Sequence, residues 1–133
     1  VLEPYLPQLL FVYATAESVK QLVENTPDIS FLTYYYNHFR KDEHGKNPPL
    51  TVPYCEMMNF IRLTSIDNEH IRLVNPEQCH YKSGDLVKVI EGEFTGIEGR
   101  VARVAGQQRV VVELSGICLI TTAYIPSAFI QKI

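Results

Sequence analysis

Four glycines lie in the stretch 84–101, GDLVKVIEGEFTGIEGRV, where a glycine-rich loop could bind phosphate. A dinucleotide loop needs G-x-G-x-x-G between a strand and a helix, and a P-loop ends in Gly-Lys-Ser/Thr. Here the spacing is G-x7-G-x3-G-x2-G, no Gly-Lys follows, and the next segment is predicted to be a strand. We therefore expect the glycines to shape a turn and not a nucleotide site.

The acidic and thiol side chains do not form a recognisable reactive group. The carboxylates of the same region lie in turns beside lysines, without the spacing of an acid–base pair, at Asp85, Glu91, Glu93 and Glu98. No Ser-His-Asp or Cys-His arrangement can be traced. We expect a protein that is not an enzyme and that uses no cofactor.

The cysteines are three, at positions 55, 79 and 118, and no C-x-x-C pair occurs. The four histidines do not cluster with them, and the adjacent pair Cys79-His80 has poor spacing for a structural zinc site. An odd number of widely spaced cysteines indicates reduced thiols in a cytoplasmic protein. We expect no metal site.

Composition and charge narrow the class of partner. Hydrophobic residues make up 46% and charged residues 20% of the 133 positions, which is ordinary for one globular domain or two small ones. Residues 1–81 carry six basic and ten acidic side chains (−4), and residues 82–133 carry six and five (+1). Neither part has the basic balance of a phosphate-driven nucleic-acid binder, so a protein or small-molecule partner is favoured.

No apolar run approaches the roughly 20 residues of a membrane helix, and no signal peptide is recognised, so we expect no membrane association. Residue 1 is Val, which suggests that the sequence begins inside a longer protein.

The first half is predicted to run strand, helix, strand, loop, helix. The apolar run 8–15 predicts a strand buried on both faces, with Leu10 and Val12 in the core. Residues 16–25 predict a helix capped by Thr15, because Val19, Leu22 and Val23 have the spacing of one buried face. Further elements are a strand at 29–39, a polar loop at 40–49 and a helix at 54–65.

The second half is predicted to be all-β. After a polar linker at 67–82, five strand-like runs follow at 86–90, 100–105, 109–114, 117–122 and 129–133. So many short strands predict a small barrel, whose closure removes exposed edges. Gly92 and Gly96 are expected at positive φ around an inward Phe94, and Gly99 where backbones approach closely. The carboxylate of Asp85 is expected to bond nearby backbone amides.

These residues resemble a known family. The stretches GDLVKVIEGEFTGIEGRV, RVVVEL and IPSAFIQKI are similar to a KOW domain, and PYLPQLLFV, ISFLTYYYNH and VPYCEMMNFIRL are similar to the NusG N-terminal domain. The resemblance implies an α+β NusG-type domain at 1–66 that lacks its first strand and helix, a linker at 67–82, and an all-β SH3-like KOW barrel at 83–133. The KOW signature turns are at Gly84, Asp85, Gly92, Gly96 and Gly99.

The resemblance also implies a function, namely a transcription antitermination or elongation factor. The loop at 34–49 lacks the usual glycine-rich sequence, which resembles a specialised, operon-restricted antiterminator more than the general factor. RNA polymerase would bind the N-terminal domain through Tyr5, Leu6, Leu9 and Phe60. A small-ribosomal-subunit protein or the termination factor Rho would bind the KOW domain through Ile90, Phe94, Ile97 and Ile120. Exposed non-template DNA would contact His38, Arg40, Lys41 and Lys46.

Alternatives remain open at this point. Tyr5 and Leu6 are as readily core as binding residues, Phe94 is favoured as a core anchor, and the basic loop is favoured as a solvated turn. Tyrosines 34–36 are favoured as half-buried strand residues, with base stacking as the second possibility. The KOW region of some antiterminators switches fold, although the β-branched density at 109–122 favours strands here. The alternative function is a ribosomal or RNA-binding KOW protein, which would bind RNA in a salt-sensitive way.

Overall fold

The computed structural model describes residues 5–27, 32–38 and 40–133, and it divides the chain into two compact units, Val1–Thr51 and Val52–Ile133. The described residues form two α-helices and one six-stranded antiparallel sheet. The expectation of an α+β protein is confirmed at this level. The strand pairing shows one sheet, and not the NusG-type plus KOW architecture that the resemblance implies.

The first unit contains helix α1 (Ala16–Asn25), whose bounds are those predicted from the sequence. Thr15 caps the helix, because its Oγ1 accepts a hydrogen bond from the backbone N–H of Ser18 at 3.1 Å. The predicted apolar face at Val19, Leu22 and Val23 is half-buried, while the rest of the helix surface is largely exposed. The helix and its cap are therefore confirmed, whereas the face that was predicted to be buried is only half-buried.

The predicted strand at 8–15 is wrong, since none of these residues is in a strand. Leu10 is 70% exposed and Val12 is 46% exposed, so the prediction that they lie in a core is also wrong. A strand forms only when a second strand supplies partners for its backbone groups. The apolar content of residues 8–15 predicted that they would be buried in a strand. It carries no information on whether a second strand lies beside them.

The predicted strand at 29–39 is reduced to an isolated bridge in its described part, 32–38. Tyr36 pairs antiparallel with Pro49, and Asn37 donates its backbone N–H to the carbonyl of Pro48 at 2.8 Å. The adjacent Pro48 and Pro49 have no N–H to donate, so the ladder cannot extend through them. Residues 29–31 and 39 of the prediction lie outside the described residues.

The second unit begins with helix α2 and continues through six strands. Helix α2 spans Tyr54–Thr64, one residue shorter than predicted. The strands are β1 (Arg72–Val74), β2 (His80–Val89), β3 (Glu98–Val104), β4 (Gln107–Leu114), β5 (Cys118–Thr121) and β6 (Ile130–Lys132). Short 3-10 turns lie at Pro76–Gln78 and Ser127–Phe129.

The strands pair in the order β1-β5-β4-β3-β2-β6, and every pair is antiparallel. Strands β2 to β6 correspond to the five predicted runs, which are thereby confirmed. Strand β1 and the first part of β2 fall inside the segment that was predicted to be a linker, 67–82. Most residues of that segment are polar, and Arg72, Leu73 and residues 80–82 are exposed, so alternation of apolar and polar residues gave little strand signal there.

Helix α2 belongs to the same compact unit as the sheet, whereas the sequence placed it in a first domain ending at residue 66. The carboxylate of Glu56 accepts hydrogen bonds from the backbone N–H and the hydroxyl of Ser115, at 2.7 and 2.8 Å. Asn59 Oδ1 accepts the backbone N–H of Glu98 at 3.1 Å. The apolar face of a helix must be covered, and the sequence does not tell which sheet covers it.

The core of this unit uses both faces of the sheet. One face carries Val87, Val89, Val110, Val112, Leu114 and Ile120, all buried. The other face carries a smaller cluster of Cys79, Ala102, Val104 and Val111, against which Val74 and Leu119 pack. Neighbouring residues such as Val110 and Val111 point to opposite faces and are both buried, so β4 is covered on both sides.

Candidate functional site

The turn between β2 and β3 is built by two glycines with positive φ. Gly92 has φ 88° and Gly96 has φ 95°, conformations that residues with a Cβ rarely adopt. Gly96 donates its N–H to the carbonyl of Val89 at 2.8 Å, and Val89 donates to the carbonyl of Ile97 at 2.9 Å. Phe94, at the tip, is 6% exposed. The predicted turn around an inward Phe94 is confirmed.

Gly99 fulfils the second predicted role, close backbone approach. A Cβ at this position would lie 2.3 Å from the carbonyl oxygen of Val111 and 2.9 Å from Cγ1 of Val110. Strand β4 therefore passes where a side chain on β3 would stand. The glycine is required by packing, since its φ is not in the left-handed region.

Gly84 and Asp85 form the remaining signature position, and here the prediction for Asp85 is wrong. Gly84 has φ 75°. The carboxylate of Asp85 contacts the ammonium of Lys132 on β6 at 3.1 Å, and not a backbone amide. The hydrogen bond and charge of Lys132 lower the pKa of Asp85 below its ordinary value. The sequence could not show this contact because β6 lies 45 residues later in the chain and pairs with β2 only in the fold.

Three of the four residues expected to bind a KOW partner lie in the core. Phe94 is 6% exposed, Ile97 is 1% exposed and Ile120 is fully buried, so none presents a surface to a partner. Only Ile90 among the four is exposed. The residue types were apolar enough for either role; in the fold, Phe94 and Ile97 are buried in the turn between β2 and β3, and Ile120 is buried on β5.

Besides Ile90, the sequence reading missed two exposed apolar side chains, those of Leu86 and Ile133. Leu86 is 50% exposed and Ile133 is 70% exposed, and the backbone N–H of Ile133 donates to the carbonyl of Leu86 at 3.2 Å. Alternation along β2 was the available signal, because burying Val87 and Val89 turns Leu86 and Ile90 outward. We call Leu86, Ile90 and Ile133 the β2–β6 patch.

The residues expected to bind polymerase are divided between the two units. Tyr5, Leu6 and Leu9 lie in the first unit, where they are half-buried, and Leu9 donates its backbone N–H to the carbonyl of Leu6 at 3.2 Å. Phe60 lies on α2 in the second unit, where it is 9% exposed. It is therefore part of that unit's core.

Four exposed apolar side chains of the first unit follow these residues directly. Leu10, Phe11, Val12 and Tyr13 are 70%, 37%, 46% and 95% exposed. The sequence placed this run in a core, and so it missed the run as a surface. We call residues 10–13 the apolar segment.

The four residues of the expected nucleic-acid contact all lie on the surface. His38, Arg40, Lys41 and Lys46 are all exposed. The loop that carries the last three is organised by Asp42, whose Oδ1 accepts the backbone N–H groups of His44 and Lys46 at 2.9 Å. Three cations and the two carboxylates of residues 42 and 43 leave residues 40–46 with a charge of +1. Tyr34 and Tyr36 stack edge to face with centroids 5.9 Å apart.

The thiols differ in their surroundings, and within residues 5–27, 32–38 and 40–133 no three His, Cys, Asp or Glu side chains stand together as a metal site. Cys55 is exposed and Cys79 is buried. Burial raises the pKa of Cys118 to about 11. In the part of the chain that the structure describes, no helix combines the length and apolar character needed to cross a bilayer.

No protein-family model matches the chain, and neither a curated protein nor a solved structure matches it.

Proposed function

We propose that the protein is a NusG-like transcription antitermination or elongation factor of the specialised kind. Its first unit binds RNA polymerase and its second unit binds a second protein. The action is non-catalytic: binding to polymerase disfavours pausing and carries transcription past terminators.

The observation that carries the proposal is the behaviour of the stretch 84–101, on which the family resemblance depends most. Three of its glycines have positive φ and the fourth admits a neighbouring backbone. Each of the four glycines that carry the resemblance therefore stands where the backbone requires a glycine. A glycine pattern of that kind is informative about the fold. This supports the resemblance in the second half of the chain, from which the function is inferred.

The apolar segment supplies the polymerase-binding surface in this proposal. A run of consecutive apolar side chains that are exposed to solvent is a typical sign of an interaction surface. A helical partner offers apolar side chains at i, i+3 and i+4 that can cover such a surface. Tyr5, Leu6 and Leu9 precede the segment in sequence and are half-buried, so in this proposal they border the contact. Phe60 is not retained as a contact because it is buried.

The β2–β6 patch replaces the buried residues as the site for the second partner. Leu86 lies on β2, and Ile90 and Ile133 directly follow the paired strands β2 and β6. A small-ribosomal-subunit protein or Rho is the partner class that the resemblance implies. Two modest contacts carried by one chain raise the effective concentration at the second site without high affinity at either. The exposed cations of the loop 40–46 add contact with non-template DNA.

The test is capture of purified bacterial core RNA polymerase by the immobilised full chain. A Leu10→Ala/Tyr13→Ala variant should lose at least about 90% of capture, because each truncation removes an exposed apolar contact from the interface centre. Tyr5→Ala and Leu6→Ala variants should show smaller losses. A matched Leu86→Ala/Ile133→Ala variant removes comparable exposed apolar surface from the second unit and should retain capture.

The outcome that contradicts the proposal is specific. If the chain binds RNA tightly and leaves core polymerase uncaptured, it is an RNA-binding KOW protein. Equal loss of capture in the two double variants would show that general apolar surface, and not the apolar segment, holds the polymerase.

A further inference from the structure

Arg109 is a charged side chain in the buried part of the second unit. It lies on β4 and is 4% exposed, and no carboxylate of the described residues forms an ion pair with it. A buried cation is costly unless an anion or hydrogen-bond acceptors compensate its charge. The groups around this guanidinium therefore decide whether the charge is compensated.

The hydrogen bonds of Arg109 go to neutral oxygens. Nη1 donates to the backbone carbonyls of His70 at 3.3 Å and Thr122 at 3.5 Å, and Nη2 donates to Oε1 of Gln107 at 2.9 Å. Nε is buried and has no hydrogen-bond partner in the described part of the chain. These three bonds account for three of the five N–H donors of a guanidinium, and Nε–H is one of the other two.

A second guanidinium adds positive charge near Arg109. Arg72 is an exposed residue of β1 and pairs with Thr121 of β5. Burial, and then the charge of Arg72, lower the pKa of Arg109 below its ordinary value. The carboxylate of Glu69 is exposed and lies 3.6 Å from Nε2 of His70, so it is engaged elsewhere. An anion beside Arg109 would offset both the burial and the repulsion.

Gln107 connects Arg109 to a cleft that is open to solvent. This larger cleft, about 350 Å³, lies at the end of the β3–β4 hairpin and is lined by Arg103, Gln107 and Tyr124 among others. A smaller cleft, about 200 Å³, is lined by Lys82 and shares Arg103 with it. None of the described residues that line either cleft is an Asp or Glu, so an anion meets no like charge there. Gln107 is exposed, so its side chain can turn toward solvent and uncover Nη2 of Arg109.

The Nε and Nη2 nitrogens share one edge of the planar guanidinium. Their N–H groups form the fork that donates two parallel hydrogen bonds to a carboxylate or a phosphate. Gln107 supplies one neutral oxygen to Nη2 and none to Nε. An oxyanion with two oxygens would satisfy both nitrogens and would neutralise the buried charge.

We propose that Arg109 is the centre of a binding site for a small oxyanion. The anion enters from the larger cleft, displaces the side chain of Gln107 and accepts hydrogen bonds from Nε and Nη2 of Arg109. Arg72 adds electrostatic attraction from the exposed side. The ligand is a free anion of the size of acetate or phosphate, because a polymer does not reach a guanidinium that is so deeply buried. This site goes beyond the proposed function and does not depend on it.

The experiment follows the Nε–H resonance of Arg109 in heteronuclear NMR spectra of the full chain. Chloride is replaced by phosphate, sulfate or acetate at constant ionic strength. The resonance should move to a saturating limit with at least one of these anions, and the acetate arm distinguishes a carboxylate ligand from a tetrahedral oxyanion. The midpoint of thermal unfolding should rise over the same concentration range, because a ligand that binds only the folded chain stabilises it. Absence of a saturable shift with all three anions would overturn the proposal.

Three variants test the roles of the individual side chains. Arg72→Gln should raise the dissociation constant of the anion at least about fivefold, because it removes a nearby positive charge. Gln107→Ala should lower it at least about twofold, because the anion then displaces no hydrogen-bonded oxygen; a purely structural Gln107 would give no tighter binding. Arg109→Gln should abolish the effect of the anion on thermal unfolding. If that chain fails to fold, the NMR titration and the other two variants decide.

The matched control for Arg72→Gln is Arg103→Gln, which removes the same charge from an exposed arginine that lines both clefts. Its dissociation constant should stay within about twofold of that of the unmodified chain. Equal weakening by the two variants would place the anion in the open cleft and overturn the proposal. Glu69→Gln should leave the Arg109 resonance in chloride unchanged. A shift in that variant would identify Glu69 as the counter-ion and would also overturn it.

Discussion

Replacing Gly99 by alanine tests whether the spacing of β3 and β4 depends on a missing side chain. The new Cβ would stand 2.3 Å from the carbonyl oxygen of Val111, whereas ordinary contact begins at 3.4 Å. The two groups must separate by 3.4 − 2.3 = 1.1 Å. The obstruction is backbone in a paired strand, so it cannot be relieved by a side-chain rotation.

The expected cost follows from this displacement. Overpacking that forces a backbone shift costs about 1 to 3 kcal/mol. We expect a cost at the upper end of this range, because the paired strands β3 and β4 would have to separate by the distance given above. We therefore expect Gly99→Ala to lower the free energy of unfolding by about 3 kcal/mol. For a domain of this size that loss corresponds to a fall in Tm of at least about 12 °C.

Gly84→Ala is the matched control, because a Cβ there meets nothing within 4 Å although φ is +75°. It should cost only the strain of the left-handed conformation, about 1 kcal/mol. The assay is urea unfolding followed by far-UV circular dichroism, since the chain has no tryptophan. If the two variants have the same midpoint, the close approach at Gly99 does not limit packing. A Gly99→Ala chain that fails to fold while Gly84→Ala folds supports the same reasoning.

Three further predictions rest on single contacts. Ala105 has φ 52° in the two-residue turn between β3 and β4, so Ala105→Asn should raise the free energy of unfolding by about 1 kcal/mol in the same urea assay, and no gain would contradict the strain. An NMR titration should give the carboxyl of Asp85 a pKa below its ordinary 3.8, and this pKa should rise in Lys132→Gln. Because the pKa is lowered in the fold, the carboxylate contributes to stability above the unfolded pKa, and this contribution is lost as pH falls through the folded pKa. Iodoacetamide at mildly alkaline pH should modify exposed Cys55 at least about tenfold faster than Cys118, because burial raises the pKa of the Cys118 thiol to about 11. The two rates are measured by mass spectrometry of the peptides, and equal rates would contradict the burial of Cys118.

The sequence predicted those elements whose signal is local. Helix α1 was predicted to the residue because its cap, first turn and apolar spacing all lie within 15–25. The turn at 92–96 was predicted because only glycine adopts its φ values readily. Strands β2 to β6 were predicted because short runs of β-branched residues bounded by turn residues are typical of strands.

The tertiary structure decided which apolar groups are covered, and by what. Residues 10–13 and Phe94 are all apolar, yet the first are exposed and Phe94 is buried. Helix α2 was predicted correctly but was assigned to the first domain, because the sheet residues that it contacts, Glu98 and Ser115, lie more than 30 residues away along the chain. The cleft that Lys82 and Arg103 line together was missed, since the two residues are on β2 and β3 and are brought to one cleft only by the pairing of these strands. Backbone conformation follows from neighbours in sequence, whereas burial and charge clustering follow from neighbours in space, which the chain alone does not specify.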